Sequence, residues 1–155
     1  MDNPFMARAI QLSIENVDSG RGGPFGAVIV KDSNIIAEGT NQVTLTNDPT
    51  AHAELLAIRE ACKKLRVFAL EGCEIYASCE PCPMCLGAIY WARLSRVYFA
   101  NAEADASRIG FDDSLIYRAL TQPQSLRKIP MIQMMRGEAL AAFQAWENKR
   151  DKIKY

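Results

Sequence analysis

Two short segments, thirty residues apart, together carry the residue types of a single zinc site. The first is His52-Ala53-Glu54, which contains the only histidine of the chain, and the second is Pro81-Cys82-Pro83-Met84-Cys85. One imidazole and two thiolates suit Zn²⁺, whereas magnesium and calcium prefer oxygen ligands. Three protein ligands leave the fourth tetrahedral position to water, as in catalytic zinc sites. The chain must therefore fold so that these two segments meet.

Both segments are predicted to lie at the beginnings of helices. A helix that opens at Pro49 or Thr50 would place His52 in its first turn, and Cys82 would cap a second helix. Cys85 follows three residues later, so both sulfurs can face one ion. The partial positive charge of a helix N-terminus favours the thiolate form. Two parallel helices that start at one edge of a sheet would bring His52 beside the cysteines.

Glu54 is predicted to move protons rather than to bind the metal. On a helix it points away from the His52 direction by roughly 200°. It would accept a proton from the zinc-bound water, whose pKa falls toward about 7, and pass it to the substrate. Two alternatives stay open. Glu54 could simply stabilise the helix start, and Cys79 could close a structural zinc site, which would make the chain a non-catalytic zinc-stabilised binding module.

Composition narrows the classes of function. The 155 residues suit one domain, 1–155, and 18 basic against 18 acidic residues give no net charge, which favours a small substrate over nucleic acid. No apolar run approaches the roughly 18 residues of a membrane span. Met1-Asp2-Asn3-Pro4 lacks the features of a secretory signal, and five cysteines, two of them in the metal motif, suit the reducing cytoplasm. We expect a cytoplasmic protein without a membrane or nucleic-acid partner.

Hydrophobic periodicity predicts helices that alternate with strands. Helices are expected after Asn3-Pro4, with Phe5, Ala9, Leu12 and Val17 on one face, and at 51–65, 83–92, 111–120 and 137–149. Strands are expected at 25–31, 35–40, 74–78, 95–100 and 129–135, with loops at 19–24, 41–50 and 101–110. This pattern indicates an α/β fold, a three-layer α/β/α sandwich with a mixed five-stranded sheet. The opening hairpin should be antiparallel, and strands that follow crossover helices should pair in parallel.

The chain resembles the cytidine deaminase-like superfamily over almost its full length, and within it the bacterial guanine deaminases. The resemblance lies in the His-x-Glu and Pro-Cys-x-x-Cys signature of zinc deaminases and in the segments 23–30, 47–54 and 78–93. Adenosine deaminases that act on transfer RNA share the zinc motif, so it does not select the substrate. The more selective segments are Gly110-Phe111-Asp112-Asp113-Ser114, Phe143-Gln144-Ala145-Trp146 and the basic tail that ends in Tyr155.

The resemblance implies a zinc-dependent hydrolase that converts guanine to xanthine and ammonia in purine catabolism. One Zn²⁺ per subunit would be bound by His52, Cys82 and Cys85, with Glu54 and Asp113 as catalytic residues, Asp113 assisting the departure of the amino group. The purine would be bound by Phe25, Asn41, Ala53, Trp91 and Tyr155. The resemblance also implies a homodimer whose C-terminal segments, 137–155, are exchanged, so that Tyr155 would serve its own site or the partner's.

Other interpretations of these residues stay open. Phe25 and Trp91 would ordinarily pack in a core, Asn41 would make a turn, and Asp112 or Asp113 would cap a helix. A transfer-RNA adenosine deaminase or a cytosine or cytidine deaminase would use the same zinc chemistry. The neutral charge and the Phe-Asp-Asp segment argue against a transfer-RNA substrate.

Overall fold

The computed structural model describes residues 3–155, which divide into two compact units. Met1 and Asp2 lie outside the described residues. The prediction that the N-terminus is not a secretory signal falls partly on these two residues. The first unit ends at Asp113, and the second is Ser114–Tyr155. The elements of the first unit are α1 (Pro4–Asp18), β1 (Gly26–Lys31), β2 (Asn34–Thr40), α2 (Val43–Thr46), α3 (Ala53–Leu65), β3 (Glu74–Cys79), α4 (Pro83–Trp91), β4 (Arg96–Asn101) and α5 (Glu103–Arg108). That residues 1–155 form one domain stays a prediction.

The strands of the first unit form one mixed sheet in the order β2-β1-β3-β4. β1 pairs antiparallel with both β2 and β3, and β3 pairs parallel with β4. The hairpin turns through Asp32 and Ser33, whose φ values of 49° and 60° are the positive values that a type I′ turn requires. The predicted antiparallel hairpin is therefore confirmed. So is the parallel pairing of β3 and β4 on either side of α4.

The sheet lies between two helical layers because alternate residues of a strand face opposite sides. Val28 and Val30 of β1 pack in one buried cluster with Ala9 and Leu12 of α1. The intervening residues, Ala27 and Ile29, belong to a second cluster that contains residues of α3 and α4. Helices α3 and α4 therefore share one face of the sheet, and α1 covers the other. This is the layer arrangement that the sequence predicts.

Two glycines let helices lie directly on the strands. A Cβ atom added to Gly26 would lie 2.5 Å from the carbonyl oxygen of Ala9 in α1. A Cβ atom added to Gly39 would lie 2.1 Å from the carbonyl oxygen of Ala53, the first residue of α3. Both distances are far below van der Waals contact, so neither position has room for a side chain. The first turn of α3 therefore packs directly on the edge strand β2.

The predicted count of five strands is not confirmed. Among residues 3–155 the sheet has four strands, and the segment 129–135 has no strand pairing. Two short helices also occupy segments that were predicted as loops: α2 has four residues and α5 has six. Helices of one or two turns are too short to produce a recognisable hydrophobic period, which is why the pattern missed them.

The second unit consists of α6 (Ser114–Thr121), a 3₁₀ turn (Gln124–Leu126), α7 (Arg136–Asn148) and their connections. None of its residues is buried, and many of its large apolar side chains are exposed, among them Ile132, Met134 and Phe143. Extended apolar surface of this kind usually marks an interaction site. No helix within residues 3–155 is long and apolar enough to cross a bilayer.

Candidate metal centre

The structure brings His52, Cys82 and Cys85 together in the first unit. The Nδ1 atom of His52 lies 3.5 Å from the Sγ atom of each cysteine. The three ligand atoms all lie within 4.8 Å of one another. His52 is the N-cap of α3, Cys82 is the N-cap of α4, and Cys85 lies in the first turn of α4. The predicted meeting of two helix starts on one side of the sheet is therefore observed.

Helix α3 begins later than predicted. The sequence indicated a helix from Ala51, with His52 in its first turn, whereas the helix begins at Ala53 and His52 has extended backbone with φ −75° and ψ 153°. The cause is a side-chain turn at Asp48, whose carboxylate accepts hydrogen bonds from the Thr50 amide at 2.8 Å and the Thr50 hydroxyl at 2.7 Å. Such turns compete with helix formation. The His52 ring makes no cap hydrogen bond and contacts the two sulfurs instead.

Cys82 is placed by the start of α4, as predicted. Pro83 occupies the first turn of α4, where a missing N–H costs nothing. The Cys82 carbonyl accepts the Leu86 amide at 2.8 Å, while its side chain makes no cap hydrogen bond. Its sulfur contacts Cys85 and His52 instead. Both sulfurs therefore lie at a helix N-terminus, where the partial positive charge stabilises a thiolate.

The three groups compete for protons. A hydrogen bond from Cys85, helped by another from His52, lowers the pKa of Cys82 to about 4. The hydrogen bond with Cys82, reinforced by burial, raises the pKa of the Cys85 thiol. The hydrogen bond with Cys82 also raises the pKa of His52. A cation at this point would take the place of the shared protons, as zinc does when it binds cysteine and histidine.

The donor set fits zinc. Two sulfurs and one imidazole nitrogen are the ligands that tetrahedral zinc sites prefer.

Cys79 does not join the group: its sulfur lies 3.9 Å from the Ala102 carbonyl oxygen, and burial raises the pKa of its thiol to about 11. The Cys79 sulfur is therefore directed at a backbone carbonyl rather than at the ligand group. Among residues 3–155 the arrangement thus offers three protein ligands, without the fourth that a closed structural site uses.

Glu54 is buried beside the three ligands, with 7% of its surface exposed. Its carboxylate is not part of the group that lies within 4.8 Å. Burial raises the pKa of Glu54, and the negative charge of Cys82 raises it further, whereas a hydrogen bond with Cys85 lowers it. A carboxyl group with a raised pKa can both accept and return a proton near neutral pH. The proton-transfer role of Glu54 stays a prediction.

Asn41, one of the predicted purine-binding residues, is buried in the first unit and is held by its neighbours. The Asn41 amide donates to the Phe25 carbonyl at 3.1 Å, and the Asn41 Oδ1 atom accepts the Val43 amide at 3.3 Å. The Phe25 ring meets the Phe111 ring edge-on, with centroids 4.9 Å apart. Ala53 is buried directly after His52. Asn41 is therefore fixed through its backbone and its side-chain oxygen.

Asp113 ends the first unit in an acidic cluster. Its carboxylate lies within 4.8 Å of those of Glu103 and Asp112. Burial, followed by the negative charges of Glu103 and Cys82, raises the pKa of Asp113. The Asp113 Oδ1 atom has no hydrogen-bond partner among residues 3–155. Asp113 therefore keeps its proton to a higher pH than an ordinary aspartate, which a proton donor requires.

The remaining two predicted residues are both exposed. Trp91 is the last residue of α4, at the opposite end of the helix from Cys82, and 68% of its surface is exposed. Tyr155 belongs to the second unit and is also exposed. Their roles in substrate binding stay predictions.

One residue near Asn41 was not identified from the sequence. Asn16 is completely buried on the inner face of α1, where the sequence placed Val17, which is half exposed. The sequence did contain a signal for it: Asn16 continues the helical spacing of Phe5, Ala9 and Leu12 and therefore lies on the same face of the helix.

Comparisons with known proteins give a consistent result. The family model described as "Cytidine and deoxycytidylate deaminase zinc-binding region" matches residues 1–101. A guanine deaminase of Bacillus subtilis is 56% identical over 151 residues, which cover 97% of each chain. A transfer-RNA-specific adenosine deaminase of Aquifex aeolicus is 51% identical over 77 residues, or 50% of this chain and 51% of that protein.

Solved structures extend the likeness to the fold. The crystal structure described as guanine deaminase from Bacillus subtilis superposes with a TM-score of 0.96 at 55% identity and covers 100% of this chain and 99% of that one. A guanine deaminase from Nitrosomonas europaea has a TM-score of 0.68 at 29% identity, with 94% and 85% of the two chains covered.

Replacing Cys85 by serine should abolish metal binding, because the buried sulfur is one of three ligands. We expect zinc content, measured by mass spectrometry of the purified protein, to fall about tenfold or more. Cys79→Ser is the matched control, since Cys79 is buried nearby outside the ligand group. It should keep one zinc per chain. Loss of zinc from the control as well would identify Cys79 as a ligand.

Proposed function

The chain belongs to the zinc-dependent cytidine and deoxycytidylate deaminase family, and we propose that it hydrolyses guanine to xanthine and ammonia. The observation that carries this proposal is the 56% identity to a guanine deaminase over 97% of both chains. The family model ends at residue 101, and the Aquifex transfer-RNA deaminase matches only half of the chain. The likeness to the guanine deaminase therefore includes the C-terminal third, where the zinc motif gives no information.

The reaction needs a nucleophile at the carbon that bears the amino group. Zinc bound by His52, Cys82 and Cys85 would supply a Lewis acid that makes hydroxide available near neutral pH. Glu54 is buried beside these ligands and has a raised pKa, so it is suited to accept the proton that water loses. It then returns this proton to the ring nitrogen of the purine.

Departure of the amino group requires a second proton. Asp113, whose pKa is raised by burial and by its acidic neighbours, is suited to donate it. The proton that the new hydroxyl group releases as the carbonyl forms replaces the proton that Asp113 gives up. The products balance: guanine and one water give xanthine and one ammonia. Two carboxyl groups with raised pKa values thus divide the proton transfers, Glu54 on the side of the attacking water and Asp113 on the side of the leaving group.

Recognition of the base is assigned to Asn41 and Phe25, with help from the Ala53 backbone. The Asn41 Oδ1 atom already accepts the Val43 amide, so its Nδ2 group remains as a donor for a purine oxygen or ring nitrogen. The Phe25 ring, supported edge-on by Phe111, offers a face for stacking. Trp91 and Tyr155 would complete the walls of the pocket.

We also propose a homodimer in which the predicted C-terminal segments, 137–155, are exchanged between subunits together with the rest of the second unit. Support comes from the unburied apolar surface of Ser114–Tyr155 and from the outer face of α4, where 77% of Tyr90 is exposed. β4 is an edge strand with Phe99 exposed, and the apolar segment 129–135 has no strand pairing among residues 3–155. That segment from the partner would then supply the fifth strand.

Five free cysteines fit a cytoplasmic location.

An ammonia-release assay over a substrate panel tests the activity. We expect xanthine and ammonia from guanine at a rate about a hundredfold or more above adenine, cytosine, cytidine and a transfer-RNA stem-loop. A zinc chelator should abolish the reaction. Faster turnover of the stem-loop or of cytosine would replace guanine as the substrate. Bound zinc without turnover of any member would indicate a zinc-stabilised binding module.

Glu54→Gln should lose about a thousandfold in kcat while zinc content and melting temperature stay close to those of the wild type. Glutamine keeps the shape of the buried side chain but cannot accept and return a proton. Glu60→Ala is the control, because Glu60 is an exposed carboxylate on the same helix. A Glu54→Gln variant with near-normal kcat would remove Glu54 from the chemistry.

A chain that ends at Lys149 should bind zinc normally but lose activity, since it lacks Tyr155. Co-expression of the truncated chain with a full-length Glu54→Gln chain shows whether the tail serves its own active site or the partner's. If the tail serves the partner's site, each mixed dimer regains one working site, made from an intact Glu54 and the tail of the other chain. If the tail serves its own site, the mixed dimer stays inactive. Full activity of the truncated chain alone would show that the tail is not needed.

A further inference from the structure

Asn16 is a buried polar residue within a helix. It lies in the last turns of α1 with none of its surface exposed. Asparagine is a weak helix former, and its amide must find hydrogen bonds when buried. The Oδ1 atom has no hydrogen-bond partner among residues 3–155. Buried polar groups that break local rules in this way are concentrated at functional sites.

The Nδ2 group of Asn16 bridges two segments that are distant in sequence. It donates to the Gly23 carbonyl at 2.9 Å and to the Asn41 carbonyl at 2.8 Å. The backbone carbonyl of Asn16 accepts the Arg21 amide at 3.2 Å. Both acceptors of Nδ2 are carbonyl oxygens, so only a donor fits there. Asn16 thus joins the end of α1, the glycine loop before Phe25 and the residue that follows β2.

Asn41 is held from the other side as well. Its amide donates to the Phe25 carbonyl at 3.1 Å. Gly22 lies so close that an added Cβ atom would stand 2.2 Å from the Asn41 carbonyl oxygen. The Asn41 backbone is therefore held at both its N–H and its carbonyl group. The Asn41 side-chain oxygen accepts the Val43 amide, and this fixes the direction of the remaining Nδ2 donor.

We propose that Asn16 is a positioning residue for base recognition, which acts by holding the Asn41 backbone so that the Asn41 side chain meets the purine. The inference rests on the proposed function, in which Asn41 donates to the base. Asn16 itself does not contact substrate. Its effect should be lost when Asn41 no longer has a side-chain amide to direct.

A double-mutant cycle in the full-length zinc-loaded enzyme tests this. Asn16→Ala and Asn41→Ala should each raise KM for guanine about tenfold with a much smaller change in kcat. In the double variant, Asn16→Ala should add little to the KM of Asn41→Ala, because both changes remove one interaction. Independent, multiplying increases in KM would overturn the positioning role. So would an Asn16→Ala enzyme with unchanged KM.

Two further variants separate positioning from stability. Leu12→Ala removes a buried apolar side chain of the same helix as Asn16, which packs in the cluster on the α1 face of the sheet, so it should lower the melting temperature without changing KM. Gly22→Ala presses on the same Asn41 carbonyl and should raise KM as Asn16→Ala does. It decides the question if Asn16→Ala does not fold: an unchanged KM overturns the inference. An Asn41→Ala enzyme with normal KM would instead refute the proposed recognition of the base.

Discussion

Everything at the centre of this protein depends on two helix N-termini that meet on one face of a sheet. The N-cap positions of α3 and α4 carry His52 and Cys82, and neither side chain is used for capping. The helices thereby direct a nitrogen and a sulfur at the same point, and Cys85 adds a second sulfur one turn later. The positive ends of the helices favour the anionic form of both sulfurs. Metal affinity and fold are thus parts of one arrangement.

Much of this could be predicted from the sequence. Strong β-propensity and polar turn residues gave the hairpin, and the spacing of His52, Cys82 and Cys85 gave the ligand set. Helix boundaries were less predictable, since the start of α3 depends on a side-chain turn at Asp48 that no periodicity reveals. Asn16 was missed because pattern analysis counts apolar residues, whereas the face of α1 that is buried includes a polar one whose partners come from other segments.

The C-terminal third was the least predictable part. Its helices α6 and α7 follow from hydrophobic spacing, but the spacing does not say what covers the apolar side chains. The expected fifth strand is not confirmed among residues 3–155 for a related reason: strand propensity at 129–135 is a local property, whereas a strand needs a partner edge. The apolar side chains of the second unit stay exposed among the described residues, so what covers them depends on the quaternary structure. The proposed exchange of segments is for this reason a proposal about assembly.

Gly39 has a consequence for how the metal site can vary. The hydrogen atom in place of a side chain lets β2 touch the carbonyl group at the beginning of α3, one residue after the imidazole ligand. Any larger residue there would lift that end of the helix away from the sheet and carry the imidazole with it. The sulfur pair, anchored on a different strand and helix, would not follow. Substitution of Gly39 in the edge strand β2 is therefore restricted by the position that the His52 imidazole must keep to bind the metal.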